Sequence, residues 1–181
     1  MESVRFKNKD IDVAADLRFP PGFDSSKKYP AIVCGHPISS CKEQTAGSIY
    51  GERLAEMGYV TLAFDASYQG ESGGEPRYLE DPAARVEDFR CAVDYLVTLD
   101  YVDEERIGAL GVCGGGVYAA NATMTEHRIK ALGTVVAARI PLDRVGPFDD
   151  PTYFPPYFPT YNPTYRPRPE TNTPPSRQQD R

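Results

Sequence analysis

The chain has 181 residues, of which 25% are charged and 40% hydrophobic, with a formal net charge of −6. That is enough for one domain with a real core. An acidic chain with no basic patch interleaved with aromatics excludes nucleic acid as the expected partner, and no apolar run reaches the roughly 18 residues that a membrane helix needs.

The first residues, MESVRFKNKD, are polar and carry no apolar signal-peptide core, so the expected compartment is the cytoplasm. The segment VRF (4–6) and the alternating Ile11, Val13, Ala15, Leu17 and Phe19, separated by NKD, predict a β-hairpin. PAIVCGH (30–36) and YVTLAFD (59–65) are short, nearly continuous apolar runs, the pattern of strands buried on both faces of a parallel sheet. Between them, Ala46, Ile49, Tyr50, Leu54 and Met57 fall at helical spacing over 44–57, with Gly58 as the stop. A second helix starts at Pro82 behind an Asp81 cap, with Val86, Phe89, Val93 and Leu96 as its apolar stripe. RIGALGV (106–112) then reads as a strand, 117–127 as a helix and 129–137 as a strand. The order β-β-β-α-β-α-β-α-β predicts a three-layer α/β/α sandwich around a doubly wound parallel sheet, entered by an antiparallel hairpin.

From residue 139 onward the composition changes. This segment holds 11 of the 17 prolines, and 153–168 reads YFPP, YFPT, YNPT, YRPR. Proline at that density blocks helices and sheet ladders, and too few aliphatic residues remain for a core. Two parts are expected: a partial α/β domain over 1–138 and a proline/tyrosine-rich disordered tail over 139–181. The four cysteines, Cys34, Cys41, Cys91 and Cys113, have no C-x-x-C spacing, which argues against zinc, and a reducing compartment argues against disulfides. No metal and no cofactor is expected.

Two segments fit the pattern of a nucleophile flanked by glycines, GESGG (70–74) and GVCGG (111–115). A nucleophile elbow needs a strand directly before it and a helix directly after it, so that the turn exposes the nucleophile and the helix N-terminus favours anions. GVCGG has both neighbours. GESGG starts several residues after its strand and runs into EPRYLEDP, so Ser72 reads as a loop residue. In GVCGG, Gly111 and Gly115 let strand and helix approach closely around the turn, and Cys113 would supply a thiolate nucleophile. The N–H of Gly114 would face a developing oxyanion. A second donor should come from the loop GHPISS, where Pro37 has no N–H and the backbone of Ile38 is the candidate. The alternative is that Cys113 is a small buried hydrophobe among glycines.

GHPISSCKEQTAG, FDASYQGESGG and GVCGGGVYAAN, in this order, resemble the α/β-hydrolase superfamily. Within it they are similar to the dienelactone-hydrolase-like enzymes that include fungal polyketide transferases and thiohydrolases. The resemblance covers about residues 1–138. It implies hydrolysis or acyl transfer on a small-molecule ester or thioester, carrier-bound acyl chains included, through a covalent acyl-enzyme. It assigns Cys113 as nucleophile and Ile38 and Gly114 as oxyanion donors. At family level it also implies secondary metabolism, such as releasing or transferring a polyketide chain.

After the elbow the chain departs from that family. In α/β hydrolases an acid and then a histidine follow the nucleophile. The chain has two histidines. His36 precedes the elbow and is expected to order its loop, and His127, in TEHRIK, ends the helix that leads away from the site. Asp143, Asp149 and Asp150 fall near the place of a triad acid, in a segment that does not read as a strand end. With six strands of the usual eight, the chain is expected to be truncated at its C-terminus and to turn over substrate poorly. The alternative is a non-catalytic hydrolase-like module whose proline-rich tail is bound by partners that read polyproline II.

Overall fold

The computed structural model describes residues 1–137. Strands β1 (Glu2–Asn8) and β2 (Ile11–Arg18) form an antiparallel hairpin. They are followed by β3 (Tyr29–Gly35), a π-helical segment (Thr45–Gly51) that runs into α1 (Glu52–Glu56), and β4 (Val60–Phe64). Then come α2 (Pro82–Val97), β5 (Val102–Val112), α3 (Gly114–Thr123) and β6 (Ile129–Val135). The sheet order is β1-β2-β4-β3-β5-β6, with β2 antiparallel to β4 and the last four strands mutually parallel.

Alternation along the central strands divides the core between two faces. Val33, Leu62 and Ala109 face α2 and α3, where Phe89, Ala92, Val93, Leu96, Ala119 and Ala122 are fully buried. Cys34 and Ala63, one residue on, face Ala46 of the π-helical segment, with Ile32, Leu54 and Leu110 packed around them. The three layers are therefore as the periodicity predicts. Strand β4 is buried at every position, as expected of a strand covered on both faces.

Three local differences have physical reasons. The segment over 44–57 is not one α-helix. Its first half has the wider π turn, which adds a residue per turn and shifts the phase of the apolar stripe. Ala46 is buried, whereas Ile49 and Met57 are 56% and 72% exposed. Strand β5 begins at Val102 rather than 106, because Val102 pairs with Tyr29 of β3. Helix α3 spans Gly114–Thr123 rather than 117–127, so three glycines that read as turn-formers lie within its first turn.

The loops after β3 and β5 leave toward opposite faces of the sheet, the first to the π-helical segment and the second to α3. The crevice beyond the C-terminal ends of these adjacent strands is a topological switch point, where open α/β sheets bind ligands. The expectations of a disordered tail over 139–181, of missing last strands, and of a triad acid near Asp143, Asp149 and Asp150 concern residues outside those described.

Candidate active site

Cys113 links β5 to α3 with φ 53° and ψ −120°. A side chain at positive φ is strained, and with this ψ it lies outside even the small left-handed region. The surroundings hold it there. The Cys113 N–H donates to the carbonyl of Val135 at the end of β6, at 2.8 Å, and its own carbonyl accepts from the Gly116 N–H at 3.0 Å. A side chain on Gly111 would be driven into the backbone of Gly115 and Gly116, and a methyl on Gly115 would come within 2.6 Å of the carbonyl oxygens of both Gly35 and His36. Both flanking glycines are thus required by close backbone approach. Gly111 is also in register with Gly35, the last residue of β3, so the loop that opens at His36 starts beside the elbow. The structure brings together Gly111, Cys113, Gly114 and Gly115 with the start of that loop. Ile38 is half-buried against the core and precedes Ser39, which turns the chain at φ 57°.

Beneath the loop lies a set of buried polar side chains. His36 is fully buried, with its Nε2 3.0 Å from the Ala66 N–H and its Nδ1 2.6 Å from the Pro37 carbonyl. Burial first, and the Arg85 guanidinium second, hold its pKa well below the ordinary imidazole value. A ring kept neutral, with both nitrogens engaged, is not a base for Cys113. Arg85 donates to the His36 carbonyl at 2.8 Å, pairs with buried Glu80 at 3.3 Å and stacks on the Tyr118 ring of α3 at 5.0 Å. Asp65, at the end of β4, accepts from the backbone N–H groups of Lys42 and Glu71 at 2.7 and 2.8 Å, tying the loop after β3 to the loop after β4. Asp88 accepts from Asn8, from the Ser67 N–H and from the Ser67 hydroxyl at 2.7, 2.8 and 2.6 Å, joining the hairpin to α2.

Sequence reasoning missed Arg85, Glu80 and Asp88. One signal was available, since Arg85 and Asp88 share the buried face of α2 with Phe89, Ala92 and Leu96. A charge in phase with an apolar stripe needs a buried partner.

Ser72 is a loop residue, and a structural one. It is 2% exposed, donates to the Asp65 carbonyl at 2.7 Å and accepts from the Ala14 N–H at 2.8 Å. His127 is exposed in the turn that precedes β6, at the opposite end of the sheet from Cys113. The ligand atoms of Cys41, Glu43 and Asp65 lie within 4.8 Å of one another. The Lys42 ammonium pairs with both Glu43 and Asp65, so the positive charge at that cluster is the chain's own. A cleft of about 630 Å³ lined by Asn8, Ile11, Tyr68, Pro82, Arg90 and Asn121 includes no residue of the elbow or of the 36–38 loop, and we give it no role in the chemistry at Cys113. Among the described residues no helix is long and apolar enough to cross a membrane.

Residues 48–153 match the prolyl oligopeptidase family. The chain is 56% identical over 133 residues to YcjY of Escherichia coli (strain K12), an alignment that covers 74% of this chain and 43% of that protein. It is 33% identical over 106 residues to the thiohydrolase aneE of Aspergillus aculeatus, covering 59% of this chain and 33% of that one. Among solved structures, the alpha/beta hydrolase GrgF from Penicillium sp. sh18 matches with a TM-score of 0.67 at 25% identity, over 74% of this chain and 44% of that one. The chain spans less than half the length of these relatives.

Proposed function

This chain belongs to the prolyl oligopeptidase family, with an α/β-hydrolase fold, and from that membership we propose that it carries the nucleophile and oxyanion half of an ester or thioester acyl-transfer site. Cys113 is the nucleophile. The observation that carries the reading is its strained backbone, φ 53° and ψ −120°, at the junction of β5 and α3. Strain of this kind persists only where surrounding structure imposes it, and it clusters at functional sites. The Cys113 thiol gives up its proton to water, the sulfur attacks the acyl carbon, and the carbonyl π pair moves to oxygen. The N–H groups of Gly114 and Ile38 receive that oxyanion. Its collapse restores the carbonyl, breaks the bond to the leaving alkoxide or thiolate, which takes a proton from water, and leaves the acyl group on sulfur.

The second half-reaction needs a base to activate water. Neither histidine serves, because His36 is buried and engaged and His127 lies at the far end of the sheet. With neither histidine placed to serve among the described residues, the expected outcome is one acylation without turnover. The fungal thiohydrolase relative favours a thioester substrate, and from the resemblance of the sequence motifs we propose release or transfer of a carrier-bound polyketide acyl chain as the role.

The test is a p-nitrophenyl ester or an acyl-N-acetylcysteamine thioester with intact-protein mass spectrometry. The expected result is a burst of at most one acyl group per chain, with no steady state, absent in Cys113→Ala. Steady turnover lost in Cys113→Ala would show that another group acts as base. Turnover that survives Cys113→Ala and is lost in Ser72→Ala would overturn the assignment.

A further inference from the structure

We propose that His36 is a positioning residue that aims the Ile38 N–H at the oxyanion, and that Arg85 steadies the same loop through the His36 carbonyl. The inference rests on the roles given above to Cys113 and Ile38.

Nε2 faces the Ala66 N–H at 3.0 Å, which can only donate, while Arg85 Nη1 stands 3.1 Å from Nε2 and 3.4 Å from Nδ1, over the ring, and so does not discriminate between the two nitrogens. An amide N–H offers no lone pair, so Nε2 keeps its own and the proton of the neutral ring sits on Nδ1. The other side of the ring requires the same assignment. Nδ1 stands 2.6 Å from the Pro37 carbonyl, which can only accept, so the Nδ1–H donates to it.

That bond has a geometric consequence one residue on. The peptide joining Pro37 to Ile38 is trans and planar, so the Pro37 oxygen and the Ile38 N–H point in opposite directions within one plane. A grip on the oxygen sets the direction of the N–H. The preceding peptide is held as well, because Arg85 Nη2 donates to the His36 carbonyl at 2.8 Å.

Arg85 also ties this assembly to the elbow. Its guanidinium lies over the Tyr118 ring of α3, the helix that Cys113 opens, and is countered by buried Glu80. The His36 carbonyl rests against Gly115, where no side chain intervenes. Loop and nucleophile are therefore referenced to one guanidinium, from opposite sides. A fully buried neutral imidazole that touches no reacting atom serves geometry, and preorganised donors are the largest single contribution in acyl-transfer sites.

The experiment compares two reactions at Cys113. Acylation by p-nitrophenyl acetate passes through an oxyanion, whereas alkylation by iodoacetamide displaces iodide at a saturated carbon and forms none. In His36→Asn the side-chain amide stands where Nδ1–H stands and keeps the donation to Pro37, while His36→Leu has similar bulk and no donor. Removing an oxyanion donor outright costs about 100–1,000-fold, so a misdirected one is expected to slow acylation in His36→Leu by about 10–100-fold. His36→Asn is expected within about 3-fold of the parent, and the alkylation rates of all three within about 3-fold of one another. Arg85→Lys, which keeps the charge but loses the fork, is expected to slow acylation and leave alkylation unchanged, and it decides the matter if His36→Leu does not fold.

Equal losses in both reactions, parental acylation in His36→Leu, or no recovery in His36→Asn would overturn the inference. A parent that is alkylated but never acylated would overturn the proposed function and this inference with it. A parent that is acylated at the same rate as all its variants would overturn this inference alone.

Discussion

Cys34, Cys41 and Cys91 are each kept protonated by their surroundings. Burial pushes the Cys34 thiol up to about 12, burial with help from Glu43 takes Cys41 to about 12, and burial with help from Glu87 takes Cys91 to about 11. Cys113 is half-buried at the N-terminus of α3, where anions are favoured. With limiting iodoacetamide at pH 8 and peptide mass spectrometry, Cys113 is expected to be labelled at least about 10-fold faster than the other three. Comparable labelling of Cys41, which lies on a loop, would contradict this.

His36 gives a second prediction at this scale. Its pKa is lowered on folding from 6.5, so below about pH 6.5 the unfolded chain binds a proton that the folded chain refuses, and stability falls as pH drops. Burial raises the carboxyl pKa values of Asp65 and Asp88, so their contributions run in the opposite sense, declining as pH rises above 3.8. Comparison with His36→Asn cancels them. The fall in urea midpoint from pH 7.5 to 5.5 is expected to be larger in the parent than in His36→Asn. Equal falls would show that the ring is not held neutral.

The elements differ in how far their sequence declares them. The strands were legible because their apolar residues recur with the period of the pleat, and α2 because Asp81 caps it, accepting from the Ala83 and Ala84 N–H groups at 2.8 and 3.2 Å. The π turn was not, because apolar spacing does not encode one extra residue per turn. Nor was the start of α3, since glycine has poor helix propensity and its use here is set by Gly35 and His36, far away in sequence. The polar cluster under the loop was hidden for the same reason, as Arg85 makes sense only beside His36, Glu80 and Tyr118. Two substitutions separate these cases. Gly115→Ala presses a methyl against two backbone carbonyls that cannot rotate away, and is expected to cost about 1–3 kcal/mol and to slow acylation. Asp81→Ala loses a helix cap, and is expected to cost about 1 kcal/mol with acylation retained. Urea titration with the burst assay reads both, and a Gly115→Ala chain as stable and as reactive as the parent would contradict the packing argument.

At the scale of the molecule, the alternation of strands and helices was enough for the layers and for the parallel part of the sheet. The candidate site was legible at Cys113 and its flanking glycines, whose pattern is local, and only in outline at the loop that faces them. What local pattern omits is who sustains the strain. The conformation of Cys113 depends on Val135 at the end of β6 and on Gly35 and His36 at the end of β3, so its supports lie on both sides in the chain. Contacts between segments so distant in sequence form late, once the loops between them have closed. A growing polypeptide that has emerged only as far as Thr123 already contains GVCGG but not the carbonyl that anchors it. The backbone geometry at Cys113 depends on β3 and β6 together, and the reactivity proposed for its thiol is expected to appear only once β6 has docked.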